Sequence, residues 1–163
     1  MGRRTQDAPE NLRIDQVTAT NISNLKRKQD QPTQKEKIKV IENYGRAIEN
    51  SDENLLKELL ARQVRIEIPS GPIADHPANT VSHILSQVAK TAPGIKCSLT
   101  AHAGNNWHFL GFEGQLEGQN LQAIDQVHLN EDDKIDHIII YMRPIPVAQK
   151  FAEAISQRLQ PTK

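Results

Sequence analysis

A single cysteine, no net charge and no long apolar run set the first limits. Cys97 stands alone, so no disulfide forms within the chain, and a reducing compartment fits. Twenty basic and twenty acidic side chains cancel to a formal charge of zero. No global field favours nucleic acid or an anionic membrane, and neither is expected as a partner. No apolar stretch approaches the roughly 18 residues a membrane span requires. The basic start, Met1-Gly2-Arg3-Arg4, lacks the apolar segment of a signal peptide after it. Gln6 occupies the Ser/Thr position of the myristoylation pattern that Gly2 would open. A soluble, cytoplasmic protein is the expectation. Hydrophobic residues are also scarce, at 37% of 163. Part of that deficit falls in roughly the first thirty residues, which leaves the remainder enough to bury one core.

What is present divides at Thr33. Residues 1–32 are rich in Asn, Gln, Asp, Arg and Lys, with Leu12, Ile14, Val17, Ile22 and Leu25 thinly spread and a basic cluster at Lys26-Arg27-Lys28. They bury too little surface to offset the entropy of ordering and read as a mobile polar tail. The domain runs over residues 33–160. Thr33 and Glu36 have capping-box spacing, and Ile38, Ile41, Tyr44 and Ile48 trace one face of a helix. Asn50-Ser51-Asp52 breaks it, and Leu55, Leu56, Leu59 and Leu60 mark a second. Val64, Ile66 and Ile68 alternate as in a half-buried strand. Pro69 to Asn79 reads as a loop. Thr80 is placed to cap a third helix carrying Val81, Ile84, Leu85 and Val88.

Four strands then follow: Ile95–Ala101, Trp107–Gln115, Leu121–Leu129 and Lys134–Met142, separated by turns at Gly104-Asn105-Asn106, Gly118-Gln119-Asn120 and Glu131-Asp132-Asp133. Val147–Leu159 reads as a final amphipathic helix or tail. The order implies an α+β domain in which a curved antiparallel sheet wraps three helices and leaves a cone with a pocket at its mouth.

Several segments carry a family resemblance. Tyr44-Gly-Arg-Ala-Ile-Glu-Asn-Ser-Asp52, Leu59-Leu60 and Val64-Arg-Ile-Glu-Ile-Pro69 resemble the opening of nuclear transport factor 2-like proteins. Ala123-Ile-Asp125-Gln-Val-His-Leu, Asp133-Lys-Ile135 and Ile140-Tyr-Met-Arg-Pro144 resemble the closing strands of SnoaL-like members. The resemblance covers about residues 35–158. It implies the cystatin-like cone and a relationship to ketosteroid isomerases and polyketide cyclases. The fold alone does not set the function, because it hosts enzymes and non-catalytic binding modules.

Asp125 is the first candidate for chemistry. On its strand Leu121, Ala123, Asp125, Val127 and Leu129 share one face, which places a carboxyl group among apolar neighbours and predicts a raised pKa. A neutral carboxylic acid in a dry pocket can donate to an oxyanion, as in the ketosteroid isomerase example. Tyr44, on the apolar stripe of the first helix, resembles by position the oxyanion-supporting tyrosine of that family. The family's proton-shuttling carboxylate precedes a proline, and here Ile68 stands in that place before Pro69. The epoxide hydrolase pattern also departs, since Ala123 stands where its arginine would be. The cyclase resemblance, with an acid/base aspartate at a position like Asp125, survives best.

His108 is a possible base, expected opposite Asp125. His76 sits in a loop expected near the pocket mouth. Ile68, Phe112, Ile138, Ile140 and Met142 are expected to line the pocket wall. His83, His102, His128 and His137 show no convergent metal spacing, so neither a metal nor another cofactor is expected. The expected partners are a hydrophobic small molecule and a second copy paired through the outer sheet face around Trp107. The expected function is that of a cofactor-independent isomerase or cyclase that moves protons on a hydrophobic carbonyl or phenolic substrate; the alternative is a non-catalytic ligand-binding or dimerisation module of the same fold.

Overall fold

The computed structural model describes residues 34–69 and 71–160. The tail expected over 1–32 and the capping residue Thr33 lie outside them. Helix α1 (Gln34–Asn50) buries Ile41, Tyr44, Ala47 and Ile48 on the face the periodicity marks. It stops at Ser51, whose φ of 54° leaves the helical region. Asp52 then caps α2 (Glu53–Leu59), its carboxylate accepting from the Leu55 amide at 3.0 Å. Strand β1 (Leu60–Glu67) follows without a linker.

The expected loop after Pro69 contains a short strand, β2 (Ala74–Pro77), paired antiparallel with β1. Helix α3 (Ala78–Ser86) therefore begins two residues before Thr80, with Pro77 at its N-cap and no side-chain cap. That corrects the role expected of Thr80. A four-residue turn of helix, α4 (Val88–Thr91), leads to β3 (Lys96–His102). The hairpins of β4 (Trp107–Leu116), β5 (Gln119–Leu129) and β6 (Ile135–Arg143) follow, and α5 (Ile145–Arg158) closes the described chain.

The six strands form one unclosed sheet in the order β2-β1-β6-β5-β4-β3. Every pairing is antiparallel except β1 with β6: β3 to β6 form a meander, and β1 joins the free edge of β6 in parallel. Register shifts lie between β1 and β6, β3 and β4, and β5 and β6. Such irregularities bend strands and increase twist, the means by which a sheet curls around helices. The core fills the hollow. It joins Ile41, Tyr44 and Ile48 of α1 and Val81 and Leu85 of α3 to Leu110, Phe112, Val127 and Ile138 of the sheet.

The alternation along β5 holds: Leu121, Ala123, Asp125, Val127 and Leu129 are all buried. On β3 it fails. Ile95, Cys97, Leu99 and Ala101 alternate with polar neighbours in the sequence, yet Leu99 is 54% exposed. The shift between Cys97 and Leu99 inserts an extra residue, and one extra residue turns the strand's later side chains to the other face. Leu99 then lies over Gly111 on the outer face, where a Cβ on Gly111 would sit 3.1 Å from that of Leu99.

Candidate functional site

Helix α1 lays Tyr44 across the hollow of the sheet, and its hydroxyl donates to Asp125 Oδ2 at 2.8 Å. Tyr44 is fully buried and Asp125 is 5% exposed. Burial pushes the Asp125 carboxyl up to about 7, against a smaller downward pull from the Tyr44 hydrogen bond. Burial also raises the Tyr44 hydroxyl well above its ordinary range, reinforced by the Asp125 charge. The pair thus behaves as a neutral or half-ionised acid bonded to a phenol that keeps its proton. Cys97 lies beside it. Its thiol is raised by burial and feels the Asp125 charge, and its sulfur would stand 3.3 Å from a Cβ on Gly45.

His108 does not stand opposite Asp125. The register pairs Asp125 with Leu110 on one side and Ile140 on the other, while His108 pairs with Val127. The expectation counted strand residues correctly by face and misplaced them by one layer. His108 instead meets His102 across the β3–β4 hairpin, Nδ1 to Nδ1 at 2.6 Å, so one ring donates the proton that the other accepts. Its Nε2 is buried without a partner. Burial, followed by the nearby His102, Lys37 and His128, brings its pKa down to about 4, so the ring is neutral at pH 7. His102 was not singled out as a partner, although the symmetric turn between residues 102 and 108 places the two side by side.

A large cavity opens elsewhere, beneath α5. It holds about 790 Å³ between α5, the ends of β1 and β6, and α3 with α4. Ile68, Ile140 and Met142 line it, joined by Leu85 and by Phe151 and Ile155 of α5. Phe112 and Ile138 are buried in the core and are not among its lining residues. His76 stands on β2 beside Val64, also outside that lining. Tyr44, Asp125 and His108 do not line it either. Ile140, the strand partner of Asp125, is among its lining residues. The level of His108 is four residues from that of Met142 along β6, about 13 Å at strand spacing. The contribution of α5 was missed in sequence. The apolar recurrence of Val147, Phe151 and Ile155 was its signal.

Among the described residues no three His, Cys, Asp or Glu side chains gather as a metal site, and no helix is long and apolar enough to cross a membrane. On the outer sheet face Trp107 packs against His128 and His137, with ring centroids 4.9 and 5.2 Å away. Each imidazole holds a carboxylate: His128 Nδ1 meets Asp136 at 2.7 Å and His137 Nε2 meets Glu67 at 2.9 Å. Leu99, Ile124 and Tyr141 are exposed on the same face.

No protein-family model and no curated protein matches the chain. Solved structures do. A steroid delta-isomerase from Pseudomonas aeruginosa is 21% identical over 80% of this chain and 96% of its own, with a TM-score of 0.69. A nuclear transport factor 2-like protein of unknown function from Burkholderia xenovorans is 14% identical over 81% of this chain and 100% of its own, with a TM-score of 0.58. An epoxide hydrolase/cyclase-like enzyme of pyran ring formation in the polyether salinomycin is 12% identical over 67% of this chain and 92% of its own, with a TM-score of 0.55. These likenesses establish the fold: the chain is a curved-sheet α+β domain of the nuclear transport factor 2-like, cystatin-like kind.

The two buried groups act oppositely on stability. Asp125 binds its proton more tightly folded than unfolded, so its contribution is complete below about 4 and is lost as pH rises to about 7. His108 binds its proton less tightly folded, so its contribution is complete above about 6.5 and is lost as pH falls towards 4. Between those limits the two slopes oppose each other. Urea denaturation from pH 4 to 8 should therefore show Asp125→Asn losing stability more steeply than wild type as pH falls. His108→Asn should lose it more steeply as pH rises. Parallel curves for all three proteins would refute both assignments.

Proposed function

We propose that the chain is a small-molecule-binding protein whose ligand occupies the cavity beneath α5. The observation that carries this reading is the cavity itself: about 790 Å³ with a lining of aliphatic side chains, one phenylalanine and no ionisable group. Ligand sites are commonly apolar hollows of this size with a few polar groups at the edge. A binding module fits better than a catalyst, because neither Asp125 nor Tyr44 lines the cavity and the place of a proton-shuttling carboxylate is held by Ile68.

A second reading rests on a specific observation. The Asp125 carboxyl titrates near neutrality while bonded to Tyr44. An isomerase or cyclase acting on a hydrophobic carbonyl or phenolic substrate would use Asp125 as acid and Tyr44 as its hydrogen-bond partner, with His108 relegated by its distance. The ligand would then have to reach a carboxyl that does not line the cavity.

Fluorescence titration with Nile red, a neutral apolar dye, separates the two. Under the binding reading, Ala152→Trp, which fills the cavity from α5, weakens binding about tenfold or more, while Asp125→Asn changes it less than about twofold. If instead 2-naphthol binds with an affinity that follows one ionisation and is lost in Asp125→Asn, with circular dichroism unchanged, the proton-transfer reading takes its place.

Assembly belongs to the same proposal. The exposed Leu99, Ile124 and Tyr141 on the outer face offer a second copy an apolar surface. Sedimentation velocity should then show a dimer that Tyr141→Glu dissociates. A wild-type monomer at micromolar concentration refutes the pairing.

A further inference from the structure

Among the described residues no Lys or Arg lines the cavity, and three that neighbour its lining in sequence are engaged elsewhere. Arg143, at the end of β6, donates from Nε to Gln122 Oε1 at 2.8 Å on the outer sheet face. Lys150 of α5 reaches toward Glu117, with Nζ 3.9 Å from Oε2. Arg158, in the last turn of α5, donates to the Lys90 carbonyl at 2.9 Å. Of the cavity's lining side chains only Gln149 and Ser156 are polar, and both are exposed on α5.

A carboxylate held at the same rim would give up part of its hydration to an amide and a hydroxyl, with no lining cation in return. An alcohol, aldehyde or ester loses far less. Its one polar group can stay at the rim, where an amide and a hydroxyl can each donate or accept. The aliphatic remainder meets Ile68, Ile140, Met142 and Phe151. From this distribution, and resting on the binding reading above, we infer that the ligand is an uncharged, largely aliphatic molecule with a single hydrogen-bonding group held at the rim by Gln149 and Ser156, and that the corresponding anions are excluded.

Displacement of Nile red at pH 8 by decanol and by decanoate tests this on the full chain. Decanol should compete at about tenfold lower free concentration than decanoate. Gln149→Arg supplies the missing cation from an exposed position that the fold does not depend on, and should close most of that gap by tightening decanoate. Equal competition by the two in wild type overturns the inference while leaving the cavity as a binding site. So does a gap that Gln149→Arg leaves unchanged, because preference would then reflect general hydrophobicity rather than the absence of a cation. If neither compound displaces the dye, and Ala152→Trp does not alter dye binding, the cavity reading itself falls and the inference falls with it.

Discussion

The hydrogen bond from Tyr44 to Asp125 ties the middle of α1 to the middle of the sheet, and the rest of the hollow is arranged around it. A carboxyl group buried among Leu110, Ile140 and Val127 is tolerable only if it is partnered or neutral, and here it is both near neutrality and partnered. The same helix is held at its two ends by further polar contacts. Near its start Lys37 donates to Asn106 at 2.8 Å, and near its end Glu49 accepts from the Cys97 amide at 2.7 Å. These three attachments fix how α1 lies in the curved sheet. The close approach of Gly45 to Cys97 and Leu110 follows from them, since a side chain there would need 3.3 Å contacts to give way.

With α1 fixed, the hollow divides into three regions along the strands. The histidine pair occupies one end, the tyrosine–aspartate pair the middle and the apolar cavity the other end. Buried polar pairs lie where α1 covers the sheet, while the space roofed by α5 is lined by apolar side chains apart from the exposed Gln149 and Ser156. This division is the physical reason the isomerase comparison stops at the fold. A structural neighbour that is a steroid isomerase shares the backbone. In this chain neither Asp125 nor Tyr44 is among the residues that line the cavity, whereas Ile140, the strand partner of Asp125, is.

The sequence revealed the parts governed by a single burial face. Strand β5 alternates without interruption, so Asp125 could be placed inward from spacing alone, and the stripe on α1 placed Tyr44 to meet it. Where the ladder is irregular, spacing misled. The shift in β3 turned Leu99 outward. The β4–β5 ladder is regular, but its offset, which spacing does not give, pairs His108 with Val127 and Asp125 with Leu110. Strand β2 was hidden because its four residues, Ala74–Pro77, follow a Pro- and Gly-rich segment that reads as loop. About half of the lining of the cavity beneath α5 comes from that helix, and which faces two distant elements present to each other is a tertiary property that neither local pattern encodes.

The ionisation of Asp125 tests the account most directly. Carbon-13 resonance of aspartate labelled at Cγ, with Asp125 assigned by its absence in Asp125→Asn, reports its protonation between pH 3 and 9. A titration step near 7, unmoved by saturating Nile red, is the predicted result: a buried carboxyl bonded to Tyr44 and separated from the cavity. A step near 4, the ordinary carboxylate range, would contradict the burial on which the arrangement of the hollow depends.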